Sequence, residues 1–463
     1  MNILKYFAYT LSLSLRKKLH ILQKNVRRRS RATNNTEKQG KYFCLLEDLK
    51  MSTSSRRTST LIIVSVAVVL FTNIAVVHGA DWPIYRGPQN NGITSETSWS
   101  ADFPSTGPKQ LWEKSIGIGF STMTISDGRV YAMGNSGKSG PNANQDAVFC
   151  LDADTGSEIW KHTYSCPLEP KYYEGGTLST PTVDGKSVYT ISKMGHLFCL
   201  DADTGSVKWQ KNMNKDLGFK LPTWHFSGSP LVVGNMLILN LGDAGVALNK
   251  NNGEVIWDNG KGICGYATPV PFTMDGRKCV AIFGASHIMG VRISDGKVLW
   301  KSFFENNNKV NAADPVIVGN EVFASSGYNL GCTKIKITGS NVETLWQNKN
   351  MRNHINCSMY WKGYLYGFDE SKLTCLDFED GSIKWTEGSL GKGALMMSAD
   401  GRMIIISDKG ELAIANANPE KFDVISRAQI LPRSKSWTTP ILANGKIYAR
   451  NAKGDMVCVD VSG

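Results

Sequence analysis

The sequence has 10 cysteines, no two of them adjacent and none in a Cys-x-x-Cys pair. Cys44 precedes the other nine, an odd number, so at least one thiol is unpaired and a disulfide framework is not expected. The five histidines after residue 80 are scattered, with no H-x-x-x-H pair, which removes the usual zinc spacing. A Gly-rich phosphate loop and a G-x-S-x-G nucleophile elbow are also missing. Charge is scarce, at 20% of residues, and its imbalance is local. The net +12 divides into 14 Lys/Arg against 3 Asp/Glu in residues 1–79, leaving 38 against 37 in 80–463. A body so nearly neutral lacks the footprint that neutralises a run of phosphates, so nucleic acid is excluded as a partner.

Residues 51–79 read as an export signal. Arg56 and Arg57 precede the apolar run Leu61–Phe71, and small residues at Val77 and Gly79 predict cleavage near Gly79–Ala80. The competing reading is an uncleaved anchor, because apolar character resumes at Ile74–Val77. Thr72 and Asn73 interrupt it, however, and the span falls short of the roughly 20 residues a bilayer needs. The basic leader 1–50 fits poorly ahead of such a signal, which predicts a translation start at Met51. These features place the protein outside the cytoplasm, in the periplasm or extracellular space, on the membrane only if the leader is retained.

What the body has in abundance is glycine (45) and tryptophan (12 in the chain). Tight-turn pairs recur at 127–128, 184–185, 234–235, 275–276, 319–320, 362–363, 400–401 and 444–445, between alternating segments such as PTVDGKSVYTIS. A tryptophan ends each unit: Trp112, Trp160, Trp209, Trp257, Trp300, Trp346 and Trp385. CLDADTGSEIW (150–160) returns as CLDADTGSVKW (199–209). Its Asp and Thr fit turn capping, and its Gly a left-handed position, better than calcium ligation. Four short strands per unit predict an all-β propeller. The final unit stops after its third strand, while the segment around Trp112 is a fourth strand without partners. Closure of one upon the other gives eight blades over 80–463. The count is seven if the atypical Ser398–Ile430 unit is not a blade. One tryptophan per blade on the last strand predicts blade-docking wedges, and Cys150, Cys199, Cys375 and Cys458 fill equivalent strand positions.

The A-x-T-G-x-x-x-W units resemble the docking repeats of pyrroloquinoline-quinone (PQQ)-like propellers, and DWPIYRGPQNNG (81–92) resembles the opening of quinoprotein dehydrogenases. Two branches are relevant: those dehydrogenases, and the propeller lipoprotein of the outer-membrane assembly machinery. The first branch implies PQQ clamped over the channel with calcium, a basic Asp and a disulfide between adjacent cysteines. The second implies a cysteine directly after the signal. Neither cysteine feature is present, and no ligand or catalytic residue is carried over. No metal site and no cofactor is expected, PQQ with calcium entering only under the dehydrogenase alternative.

The segments leading into each first strand lie in register and should converge on one channel mouth: 119–123, 175–181, 223–230, 265–269, 311–315, 354–359 and 436–440. They bring together Glu174, Trp224, His225, Tyr266, Asp314, His354 and Trp437 as candidate contacts for a small polar ligand, with a water-filled lining as the plain alternative. The functional expectation is an exported binding or scaffolding module of the cell envelope, with a protein partner or small polar ligand. The alternatives are a divergent quinoprotein oxidoreductase or a carbohydrate-binding propeller, the latter if Trp224, Tyr266 and Trp437 are exposed together.

Overall fold

A computed structural model describes residues 80–463. The readings on the leader, on Met51 and on the export signal lie outside the described residues. Among those described, every regular element is a strand, and the strands form eight sheets in chain order, antiparallel apart from one short strand added in parallel to the seventh. The protein is an eight-bladed β-propeller. Blades 1 to 6 span 124–165, 182–212, 231–258, 270–303, 316–348 and 359–387; blades 7 and 8 contain 394–429 and 441–460. Blade 7 is the atypical unit, with a last strand at Asp423–Gln429. Blade 8 takes its outer strand from Gln110–Ser115, which pairs antiparallel with Asp455–Asp460 and closes the ring.

Turn chemistry explains the hairpins. Asp127-Gly128, Asp275-Gly276, Lys362-Gly363 and Asn444-Gly445 hold positive φ at both central residues, while Gly185, Gly234 and Gly319 hold it at the first. These are the two backbone patterns whose twist matches a two-residue hairpin. In blade 7 the loop lengthens to three residues, with Gly401 at φ 88° and its N–H donating to the Ser398 carbonyl.

Every outer strand carries a register shift at the tryptophan position, opposite the residue that is Cys in blades 1, 2, 6 and 8. A bulge re-aims a side chain, and here it turns six of the seven indoles toward a turn of the following blade. Six of the seven donate Nε1–H to a carbonyl in that blade's third-to-fourth-strand turn. They run from Trp112 to Ala153 at 3.0 Å and Trp160 to Ala202 at 2.9 Å through Trp209 to Lys250, Trp257 to Ile293, Trp346 to Phe378 and Trp385 to Asn418. The turn glycine beneath is obligatory, since a Cβ on Gly205 would lie 2.5 Å from the Trp160 ring. Asp152 Oδ1 accepts from the Asp154 and Thr155 backbones, so the repeated acidic segment is a capped turn.

Two seams depart from the pattern. Trp300 is buried, but its indole lies over Gly290 of its own blade and its N–H has no partner. In blade 7 Ser426 occupies the tryptophan position, and its hydroxyl donates to the Ala101 carbonyl. The indole missing from that seam comes from the chain before the ring: Trp99 is buried against Arg402, whose guanidinium lies 4.0 Å over the ring.

That same N-terminal segment crosses the hairpin face of the channel. The Asp81 carboxylate accepts the Asp127 N–H of blade 1, and the Pro83 carbonyl accepts the Val183 N–H of blade 2. On the far side Arg86 donates to the Ser358 carbonyl of blade 6, and Ile93–Thr94 pairs parallel with Met397–Ser398 of blade 7. A strap therefore spans the ring. All nine described cysteines are free and buried.

Replacing Gly205 or Gly185 with alanine imposes the same left-handed penalty, about 1–2 kcal/mol. Only Gly205→Ala also drives a Cβ into an indole, whereas Gly185 has nothing within 4 Å. Urea denaturation should show Gly205→Ala losing about 1–3 kcal/mol more stability than Gly185→Ala. Equal losses would remove the wedge from the account of blade docking.

Candidate functional site

The mouth opposite the hairpins is built on a ring of small polar side chains. In blades 1 to 6 the residue two before the first strand is hydrogen-bonded to its counterpart in the neighbouring blade. The Thr122 N–H donates to Thr180 Oγ1 (3.2 Å), Thr180 N–H to Ser229 Oγ (2.9 Å), Ser229 N–H to Thr268 Oγ1 (3.0 Å) and Thr268 N–H to Asp314 Oδ1 (2.8 Å). The Asp314 N–H continues to Cys357 Sγ at 3.1 Å, and Thr122 Oγ1 donates to the Thr439 carbonyl at 2.7 Å. Five of these positions precede a proline (181, 230, 269, 315 and 440), which supplies no N–H of its own.

Above this girdle sits a collar of aromatic and cationic groups. Phe120 lies 5.6 Å from both Tyr173 and Trp437, and Tyr173 lies 5.9 Å from Trp224. Trp437 has Lys435 at 4.5 Å and Lys392 at 5.4 Å from its ring, and Lys171 stands 5.7 Å from Trp224. Such spacings fit cation–π attraction. Lys435 pairs with Glu174 at 3.0 Å. Lys392 donates to His354 Nδ1 at 2.7 Å and lies 3.5 Å from Glu370. Burial, then the Lys392 charge, push the His354 pKa down, so its neutral ring accepts that bond. Tyr328 meets His354 edge-on at 4.8 Å.

Of the sequence-predicted candidates, Glu174, Trp224, His354 and Trp437 line this collar. Tyr266 does not face the opening. It is 7% exposed, its hydroxyl accepts the Trp224 N–H at 3.2 Å, and burial raises its pKa to about 12. The three aromatics named for a carbohydrate platform therefore are not exposed together. His225 is half-buried at φ 67°, with Nδ1 unpartnered and its pKa lowered by burial. Asp314 lies deeper, in the girdle itself, near Arg86 of the strap and beside the Cys357 thiol, which also meets the Tyr85 hydroxyl at 3.7 Å. Lys171, Tyr173, Lys392, Lys435 and Phe120 were not among the candidates. Phe120 had a usable signal, since Phe120, Tyr266 and Trp437 share one column, three residues before the position of the blade proline.

The quinone clamp implied by the dehydrogenase resemblance meets a poor set of donors. Among the described residues no group of three or more His, Cys, Asp and Glu converges to hold a metal ion. The buried carboxyl at the channel floor faces a guanidinium instead of further acids. A cavity of about 880 Å³ lies elsewhere, on the flank of blade 4 between Asp243 and Ser340; its position in the outer strands separates it from the collar.

Burial raises the Asp314 pKa to about 7, against the opposing pull of Arg86. The folded state then holds a proton that the unfolded chain releases near pH 4, so this group's stabilisation is full below pH 4 and is lost as pH rises to about 7. Asp314→Asn keeps an acceptor for Thr268 without the ionisation. The variant should match the wild type near pH 4.5 and exceed it by on the order of 1–3 kcal/mol at pH 8. A stability difference independent of pH, in thermal melts across that range, would contradict the assignment.

Comparison with known proteins follows the geometry. No curated protein sequence matches the chain. Among solved structures it is similar to BamB from Moraxella catarrhalis, at 15% identity and TM-score 0.55, covering 76% of this chain and 100% of that one. It is also similar to the quinohemoprotein alcohol dehydrogenase of Comamonas testosteroni (12%, TM-score 0.58, covering 85% and 82%) and to a europium-containing methanol dehydrogenase (12%, 0.56, covering 82% and 89%). Identities this low carry the fold alone. A family match extends over residues 144–387, more than half of the chain, and with the eight docked blades it makes this protein a member of the outer membrane protein assembly factor BamB family of PQQ-repeat β-propellers.

Proposed function

We propose that the protein is an exported, non-catalytic binding module of the cell envelope, whose collar grips a loop of a protein partner. One observation carries this reading. The non-repeating residues of the ring converge as half-buried aromatic faces flanked by lysines, while Glu174 and His354 among them are already paired with those lysines. Aromatic side chains lose little conformational entropy on contact and dominate interface energetics. Tyr172, 90% exposed and 5.8 Å from Trp224, extends the platform outward. Lys171, Lys392 and Lys435 favour a partner segment that mixes apolar and acidic residues. Membership of an outer-membrane assembly family agrees with such a role. His354 is engaged by Lys392 and Glu174 by Lys435, so neither is free to serve as a general acid or base.

The test places a photo-crosslinking residue at Tyr172 in the full-length protein and, as a control, at Ile383 on the exposed edge of blade 6. Tyr172 should capture one specific envelope protein and Ile383 should not. Trp437→Ala should weaken that capture by about thirtyfold, the effect of a hot-spot residue worth about 2 kcal/mol. The purified protein is titrated in parallel with pyrroloquinoline quinone and calcium. Saturable binding with dye-linked alcohol or sugar oxidation would overturn the binding-module reading in favour of an oxidoreductase.

A further inference from the structure

A smaller cavity lies on the opposite, hairpin face, in the seam between blades 6 and 7. Trp361, which stands outside the docking register, ends the first strand of blade 6, and Lys362 follows in its hairpin. With Tyr364 and Tyr366 they form one side of a cavity of about 270 Å³; Asp400, Gly401, Asn416, Ala417 and Pro419 of blade 7 form the other.

The origin of this cavity is legible in the repeat. In three other seams a tyrosine on the second strand donates its hydroxyl to the same turn carbonyl that receives the docking indole. Tyr131 reaches Ala202 at 3.4 Å, Tyr189 reaches Lys250 at 3.1 Å and Tyr448 reaches Ala153 at 3.3 Å. Tyr366 is their counterpart, fully buried and 6.1 Å from Trp385, yet its hydroxyl has no partner. The blade 7 turn, Asn416-Ala417-Asn418-Pro419, lacks the A-x-T-G sequence, and its carbonyl at Asn418 serves Trp385 alone. A buried donor without a carbonyl partner is thus left over in the aromatic wall of this cavity, beside the Cys375 thiol.

The remaining groups narrow the ligand. Asp400 is held by Arg402 (Nε to Oδ2, 2.8 Å) and Ser398 (2.5 Å), which keeps its carboxyl below the usual range and leaves further lone pairs to accept. Asn416 spends its amide N–H on Asp423 at 2.9 Å, leaving its oxygen as an acceptor. The Asp400 charge is met by Arg402, and the Lys362 ammonium lies 5.3 Å from the Trp361 ring, so no carboxylate in the seam calls for a cationic ligand. The occupant must offer a flat apolar face, several hydroxyls to donate and one acceptor for Tyr366, with no net charge. The volume sits just under the roughly 300–1,000 Å³ of pockets for drug-sized ligands. We infer that this seam binds a single neutral pyranose unit, stacked on Trp361 and Tyr364 and hydrogen-bonded by Tyr366, Asp400 and Asn416. The site is independent of the collar.

The experiment uses the full chain with methyl glucoside, N-acetylglucosamine, maltotriose and chitotriose as probes, read by saturation-transfer NMR. At least one probe should bind saturably, and the trisaccharides against the monosaccharides tell whether the unit comes from a glycan chain or a free sugar. Trp361→Ala should weaken binding at least about tenfold through the lost stacking. Tyr366→Phe, which removes one oxygen, should weaken it several-fold while leaving the melting temperature of the free protein equal or higher. Trp437→Ala should leave it unchanged. Failure of every probe to bind, or binding indifferent to both Trp361→Ala and Tyr366→Phe, overturns the proposal.

Discussion

The pairing of Gln110–Ser115 with Asp455–Asp460 holds the two ends of the ring together, and every other contact assumes it. Without that strand the eighth sheet would present an unpaired third strand, and Trp112 would have no route to the Ala153 turn of blade 1. Closure also explains the size of one apolar cluster. It joins Trp82, Trp99 and Trp112 to residues of blades 1, 7 and 8, so the apolar core is most extensive where the ring closes. The girdle of Thr, Ser, Asp and Cys acceptors is the inner counterpart of this closure. Its bonds run from blade 1 through blade 6 and from blade 1 back to Thr439 of blade 8, and the last of these forms only when the last blade is fixed beside the first.

Much of this was legible because tight turns and docking tryptophans are local signals repeated in register. The hairpin pairs require positive φ, and the A-x-T-G turn requires a glycine under an indole, so both leave fixed letters. The eight bulges left none, since a register shift depends on how two strands meet. The exchange in blade 7 was also invisible: Ser426 takes the indole's place, and Trp99, more than 300 residues away, supplies the ring.

Depth at the mouth followed the same rule. The loops were identifiable as loops, but a loop contains both a residue that looks outward and one that closes the girdle. Asp314 occupies the second kind of position, directly before Pro315, where other blades place Thr or Ser. Trp437 lies two places earlier in its own segment and reaches the collar. The lysines that flank it come from blade 7, whose leading segment lacks the Ser/Thr-Pro marker, and from the connection preceding blade 8. Repetition thus reveals the scaffold, while the chemistry gathers where the repeat is broken.

The strap gives the channel a direction. With Trp82, Tyr85 and Arg86 lying across the hairpin side, the passage behaves as a cup, with Asp314 and the Cys357 thiol at its base and the collar as its rim. A group approaching Asp314 or Cys357 from the collar finds Tyr85 and Arg86 of the strap behind them. A partner seated on the rim, as proposed, would therefore cover the only approach to the base that the collar offers.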